Sequence, residues 1–314
     1  MELSSCWIVT EKLAGLQNQA IGLCEALGLP YSLKEIKKPQ NLWQRLFPPH
    51  HGLVPPWPDV LVSCGRQSVP VSLHIRSASA GHTFTIHIQD PFIDPKNFDV
   101  VVVPEHDKLQ GHNVLATRGA IHHVNQKKLA FGAGHFAERL SHLPRPLIGV
   151  LVGGKNRHHD FSEKSARELA SMLSQAAQKN GGSIALTFSR RTGSANETLI
   201  RSGLQEIPAY IWDSQGENPY FGLLALADVI ITTSDSISMV SEACYTGKPV
   251  YVYPLPGGGK RHKEFLKDLI QRGIIRFFEE NIETWSYPPL DETKRAAVFI
   301  RQRFLNRKTS DQKS

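Results

Sequence analysis

Two rhythms alternate along this chain. Cys6-Trp7-Ile8-Val9-Thr10 is a short β-rich run, and residues 14–27 follow with helical spacing that stops at Gly28 and Pro30. Residues 31–36 alternate again. Asp59 through Cys64 is an apolar run of the buried-strand type, followed by Gly65 and a helix-like stretch to about Ser79. Residues 83–88, 99–103 and 113–117 extend the strand series. From about Gln126 to Pro146 the rhythm breaks. Lys127, Lys128, Gly132, Gly134, Pro144 and Pro146 predict a connection between domains there. The pattern then restarts with a strand over 147–152, a helix over 162–179 with Ser162 as N-cap, and strands at 183–188, 210–212, 229–232 and 249–253. Further helices are predicted at about 219–227, 236–245 and 291–305. Strands spaced by helices imply largely parallel sheets covered on both faces. The predicted architecture is therefore α/β, with two doubly wound, Rossmann-like parallel-sheet domains facing a central cleft. The boundaries are 1–128 for the first domain, 129–145 for a linker, 146–290 for the second domain and 291–314 for a terminal helix and tail.

Composition narrows the classes. An apolar fraction of 40% over 314 residues is enough to build packed cores, which excludes disorder as the main state. No apolar run reaches the roughly 18 residues that span a bilayer. The opening residues lack a basic region and an apolar stretch, which predicts no secretory signal. Cys6, Cys24, Cys64 and Cys244 are scattered without CxxC spacing, so neither a disulfide framework nor a zinc site is predicted, and a reducing cytoplasm fits. The net charge of +7 favours anionic partners such as nucleotides or phospholipid headgroups. Nucleic acid is not expected, because RNP, KH and zinc-finger signatures are missing and basic residues do not interleave with aromatics.

In doubly wound sheets ligands bind at the carboxyl ends of strands, so the residues that follow apolar runs matter most. Gly153-Gly154-Lys155 follows the first strand of the second domain. Two glycines let a backbone approach a phosphate, although a plain tight turn explains them as well. The run is no Walker loop, and no GxGxxG follows a strand. Ser189-Arg190-Arg191-Thr192 ends the next strand, and its guanidinium forks suit a diphosphate. The densest segment runs from Thr233 through Ser234, Asp235, Ser236 and Ser238 to Glu242, where a strand enters a hydroxyl-rich helix start. Glu242 is spaced to accept from ribose hydroxyls, and Asp235 reads equally as a helix cap. In the first domain Glu11, Asp90, His106 and Asp107 close strands and are candidates for a general base, and Gly15, Gln19, Gly65 and Arg66 are candidates for substrate binding. The pairs His122-His123 and His158-His159 lack metal-ligand spacing and read as solvated loop residues; no metal and no cofactor are predicted.

Taken together, Ser189-Arg190-Arg191-Thr192, Asn218-Pro219-Tyr220-Phe221, Asp228, the run Thr233–Cys244 and Thr246-Gly247-Lys248-Pro249-Val250 resemble the mitochondrial-fission protein family of the elongated-mitochondria type, found in plants and bacteria. Gly15 with Gln19, Gly65-Arg66, Gln89-Asp90-Pro91 and Pro104-Glu105-His106-Asp107 agree with it. One departure is visible: the loop after the first strand usually reads Asp-Gly-Lys, and here it is Glu11-Lys12-Leu13. The family is distantly similar to GT-B glycosyltransferases, including the type that adds N-acetylglucosamine to lipid-linked precursors. That resemblance implies a GT-B-like fold whose first domain is the acceptor side and whose second is the donor side, with the terminal helix crossing back to the first. It implies a donor site at Gly153, Gly154, Ser234, Ser236, Ser238 and Glu242, with Asn218 and Tyr220 in the same motif set. The function expected is metal-independent glycosyl transfer from a nucleotide-diphospho-sugar to a lipid-linked or membrane-associated acceptor. Localisation would be cytoplasmic, with peripheral contact at the inner membrane. Plant relatives are associated with recruiting a dynamin-like GTPase to mitochondria, so a non-catalytic scaffold is one alternative and a sugar-nucleotide epimerase another.

Overall fold

The computed structural model describes residues 5–37 and 52–311, with side chains as far as residue 307. The absence of a leader was read on a segment that includes residues 1–4, which lie outside the described residues. The chain divides into two compact units, residues 1–123 with 291–314, and residues 124–290.

The first unit begins with β1 (Cys6–Glu11), α1 (Ala14–Leu27) and β2 (Tyr31–Ile36), then β3 (Val60–Cys64), α2 (Val69–Ala78), β4 (Phe84–Ile88), β5 (Val100–Pro104) and β6 (Val114–Thr117). Its sheet is ordered β2-β1-β3-β4-β5-β6, and every pairing is parallel. Strands β3 and β4 are buried along their whole length, the signature of a sheet covered on both faces. Gly28 ends α1 in the left-handed conformation at φ 72°, the stop that Gly28-Leu29-Pro30 predicts.

The second unit comprises α3 (Gln126–Leu140), β7 (Leu147–Val152), α4 (Glu163–Asn180), β8 (Ser183–Phe188), α5 (Ser194–Gly203), β9 (Ala209–Ile211), α6 (Tyr220–Leu226), β10 (Val229–Thr233), α7 (Ile237–Cys244), β11 (Val250–Tyr253), α8 (Lys260–Gln271) and β12 (Ile275–Phe277). The sheet order is β12-β11-β10-β7-β8-β9, again all parallel. The chain runs outward from β7 to β9, then returns to the other side of β7 to place β10. That reversal makes the gap between the β7 and β10 loops the topological switch point. Alternation along the strands explains the two cores. Leu147 and Leu151 of β7 join Leu129, Phe136, Leu223, Val240 and Phe265 on one face. Ile148, Val150 and Val152 join Leu169, Leu173 and Ile200 on the other.

The last helix, α9 (Glu292–Asp311), belongs to the first unit. Ala296, Ile300 and Phe304 share a core with Ala20 and Leu23 of α1 and with Phe84 and Ile86 of β4. The Phe304 and Phe84 rings meet edge-on at 5.1 Å.

Residues 129–145, read from the sequence as a linker, largely form α3, and α3 packs against α6 within the second unit. The glycines that looked like loop residues serve that packing. A Cβ on Gly132 would lie 2.6 Å from the Gly222 backbone nitrogen, so only glycine lets the two helices come this close. Asn125 caps α3, its side chain accepting from the Lys128 N–H at 2.9 Å. Helices α5 and α8 and strand β12 were not read from the pattern. Among the described residues, no helix is long and apolar enough to cross a membrane, and no group of three His, Cys, Asp or Glu is placed to hold a metal ion.

Candidate functional site

At the switch point of the second sheet, the loops after β7, β8 and β10 are tied together by one buried carboxylate. The Asp235 side chain is fully covered. Its Oδ2 accepts from the Gly154 N–H at 3.1 Å and from Arg191 Nη2 at 2.7 Å, and its Oδ1 accepts from the Thr233 hydroxyl at 2.6 Å. The Asp235 carbonyl accepts from Asn156 Nδ2 at 3.1 Å. Thr233 Oγ1 in turn accepts from the Gly153 N–H at 2.7 Å. A buried carboxylate with three hydrogen bonds, one of them from a cation, is a satisfied structural group.

The close approach explains the glycines. A Cβ on Gly153 would collide with the Asp235 carboxylate, and one on Gly154 with the Arg191 backbone. The sequence offered these glycines for approach to a phosphate; in the structure both N–H groups are taken up inside the protein. The same holds for much of the Ser189–Thr192 run. Ser189 Oγ accepts from the Arg191 N–H at 3.2 Å, and buried Thr192 donates to the Gly153 carbonyl at 2.6 Å. Arg191 is half-exposed but bound to Asp235. Arg190 is exposed, and Lys155 is exposed with Asp160 at 3.3 Å.

Helix α7 starts beside this knot. Ser236, in extended conformation, caps it by accepting from the Met239 N–H at 3.3 Å. Buried Ser234 accepts from the Leu255 N–H at 2.9 Å, which pins the β11 loop to the β10 loop. The first N–H groups of a helix have no intrahelical acceptor, and Ser236 caps only that of Met239. Those of Ile237 and Ser238 have no acceptor within the helix, the condition an anion site needs. Ser238 is half-buried. One turn further on, buried Glu242 accepts from the Tyr220 hydroxyl, and Asn218 shapes the Tyr220 turn by accepting from its N–H at 3.0 Å. Burial pushes the Glu242 carboxyl up to about 7, while the Tyr220 hydroxyl and the Lys128 charge pull it the other way. Burial, with the neighbouring carboxylate, also raises the Tyr220 phenol well above its ordinary range.

In the first unit the loops after β1, β3, β4 and β5 share one sheet edge because these strands are parallel neighbours. Gly65, at φ 84°, hydrogen-bonds the Ile88 carbonyl at 3.3 Å, and a Cβ there would press Leu16. Arg66 lies over the Phe92 ring at 5.2 Å. Gln89 and Phe92, which flank Asp90-Pro91, both have positive φ, at 84° and 56°. Such strain in non-glycine residues gathers at functional loops. Asp90 accepts from the Phe92 N–H at 2.8 Å, and is half-buried. His106 and Asp107 form one short turn with side chains 4.0 Å apart, both largely covered. Gln19 donates back to the Gly15 carbonyl of its own helix at 3.0 Å; Gly15 is exposed and Glu11 half-buried.

Sequence reasoning missed the β11 loop and mistook His159. That residue is only 5% exposed and His122 only 1%, so neither is the solvated loop histidine expected. The signal for the β11 loop was in plain view as Gly257-Gly258-Gly259-Lys260-Arg261-His262-Lys263 after a strand.

A family profile described as Mitochondrial fission ELM1 matches residues 14–304. The chain belongs to that family. It is 33% identical over 278 residues to the mitochondrial fission protein ELM1 of Arabidopsis thaliana, a match that covers 80% of this chain and 65% of the relative. The chain thus matches just under two-thirds of that relative's length. Its fold is similar to the UDP-GlcNAc 2-epimerase of Methanocaldococcus jannaschii, with a TM-score of 0.58, 13% identity, and 95% and 99% of the two chains covered. The same enzyme in complex with UDP-GlcNAc and UDP gives a TM-score of 0.52. The glycotransferase of kitacinnamycin gives 0.53 at 13% identity, covering 95% and 98%. The two parallel six-stranded sheets are thus of the GT-B type.

Proposed function

We propose that this chain binds a nucleotide-diphospho-sugar at the carboxyl edge of its second sheet and transfers the sugar without a metal ion. The observation that carries the reading is the α7 start at the switch point. There the Ser236 hydroxyl caps the Met239 N–H, and the Ile237 and Ser238 N–H groups have no acceptor within the helix, one turn before buried Glu242 and its partner Tyr220. A diphosphate at this helix start would be held by those N–H groups and by Arg190, and Glu242 would accept from a ribose hydroxyl. The similarity in fold to an epimerase whose structure holds UDP-GlcNAc and UDP supports the same ligand class. Asp90, in its strained loop on the first unit, is the residue assigned to take the proton of the acceptor hydroxyl. Arg190 would offset the charge that develops on the departing diphosphate.

One observation favours a scaffold instead. Gly153, Gly154, Arg191, Thr192 and Asp235, which the sequence offered to a ligand, are bonded to one another. Purified protein decides between the readings. Thermal stabilisation by one member of a nucleotide-sugar panel, with slow release of nucleoside diphosphate that Asp90→Ala abolishes, is the expected result. Interconversion of the sugar without loss of nucleotide identifies an epimerase. No stabilisation by any member of the panel leaves the scaffold.

A further inference from the structure

Glu242 is only 6% exposed, yet one of its two carboxyl oxygens is spent within the protein and the other is not. Oε2 accepts from the Tyr220 hydroxyl, whereas Oε1 has no hydrogen-bond donor among the described residues. An ionised carboxylate offers two acceptor oxygens, and leaving one unfilled in a covered place costs free energy unless something else fills it. The cost shows in the group itself. Burial pushes the Glu242 carboxyl up to about 7, although the Tyr220 bond and the Lys128 charge both favour its ionised form.

The Tyr220 hydroxyl is held in place from several directions. Tyr220 is the first residue of α6, and Asn218 fixes its backbone by accepting from its N–H at 3.0 Å. Its ring meets that of Phe221 edge-on at 5.8 Å and packs on the core that Leu129 and Phe136 of α3 share with Met239 and Val240 of α7. The place of α6 is set in turn by α3. A Cβ on Gly132 would lie 2.7 Å from the Phe221 carbonyl carbon, and one on Gly222 would lie 2.8 Å from the Phe136 ring. Two helices thus aim one phenol at one oxygen of Glu242. With both oxygens open, a carboxylate can accept both hydroxyls of a cis-diol; with Oε2 held, one oxygen remains.

We infer that Tyr220 is a positioning residue that holds Glu242 through Oε2 and leaves Oε1 as the acceptor for a single ribose hydroxyl, so that the site reads one hydroxyl of the sugar and not its cis-diol. Tyr220 acts through Glu242 and not on the ligand. The inference rests on the donor reading and adds to it which part of the nucleotide is recognised.

The test is calorimetric titration of the full chain, wild type and Tyr220→Phe, with UDP, 2′-deoxy-UDP and 3′-deoxy-UDP at pH 8, where the Glu242 carboxyl is ionised. UDP is the nucleotide held in the epimerase of similar fold. Phenylalanine keeps the ring in the core and removes only the donor. Wild type is expected to bind one deoxy analogue about tenfold more weakly than UDP, the worth of a hydrogen bond to a charged group, and the other within about threefold. In Tyr220→Phe that discrimination should shrink to about threefold or less, because the carboxylate is no longer held. Equal losses for both analogues in wild type would show both hydroxyls on the carboxylate and overturn the inference, as would discrimination that survives in Tyr220→Phe. A 13C NMR titration of the Glu242 side chain, assigned by its loss in Glu242→Gln, reads the pair without a ligand. Tyr220→Phe should raise the midpoint, since the lost bond favours the ionised form. An unchanged midpoint overturns the inference whatever the nucleotide does. No UDP binding by wild type, beside a midpoint that moves, sinks the donor reading and the ribose assignment with it. UDP binding beside unaltered discrimination in Tyr220→Phe sinks the inference alone.

Discussion

Asp235 shows how a polar residue at a strand end can belong to the fold. Its carboxylate joins three loops through Gly154, Thr233 and Arg191. Removing a buried charge strands its partners, so Asp235→Ala should destabilise the protein by about 3 kcal/mol, measured by urea unfolding. Arg190→Ala, an exposed neighbour, should change stability by less than about 0.5 kcal/mol. Comparable losses in both would mean that Asp235 is no structural tie. Glu242 makes a second residue-scale prediction. Its carboxyl titrates near 7 in the folded protein against 4.5 in the ordinary state, so the native state binds more protons between these values. Stability attributable to this group is therefore present below about pH 4.5 and is lost as pH rises through 7. Glu242→Gln keeps an acceptor for Tyr220 and carries no charge. Relative to wild type it should gain up to about 3 kcal/mol between pH 4.5 and pH 8, read from unfolding curves at the two pH values. An unchanged difference would show that the carboxyl is not desolvated.

At the scale of elements, α3 is where propensity and packing compete. Gly132 sits in the interior of a 15-residue helix, where glycine costs about 1 kcal/mol relative to alanine. Gly132→Ala should nevertheless destabilise, by about 1–3 kcal/mol, because the new methyl would press the Gly222 backbone of α6. A stabilised variant, scored by thermal melting, would show that the α3–α6 contact is looser than described. The same contact explains why the segment reads as a connection. Lys127, Lys128, Gly132 and Gly134 resemble loop composition, and only the partner helix reveals two close-packed backbones. By contrast α4 was legible because nothing competes there. Ser162 caps it with a bond to the Ser165 N–H at 3.2 Å, and Gly181 ends it at φ 60°.

At the scale of the molecule, two parallel sheets each place their candidate residues on one edge. The strand runs and the loop residues after them could be read locally, so the edge and its candidates Asp90, Arg190, Ser234, Ser236, Ser238 and Glu242 were legible. How those residues use their hydrogen bonds was not. Whether Gly153 offers its N–H to a phosphate or to Thr233 depends on a contact across 80 positions of sequence. His159 went unrecognised for a related reason, because its cover comes from Gly257 and Gly258 on another strand's loop.

Most of the strand–helix alternation, the helix stop at Gly28 and the family itself were determined by the sequence alone. These depend on residue spacing, local backbone preference and a motif, all of which lie along the chain. The tertiary structure decided that Asp235 and Arg191 serve the fold, that α3 belongs to the second unit and that Tyr220 and Lys128 act on Glu242 from two other helices. Each depends on which distant groups become neighbours, and a buried polar atom acquires its role from those neighbours.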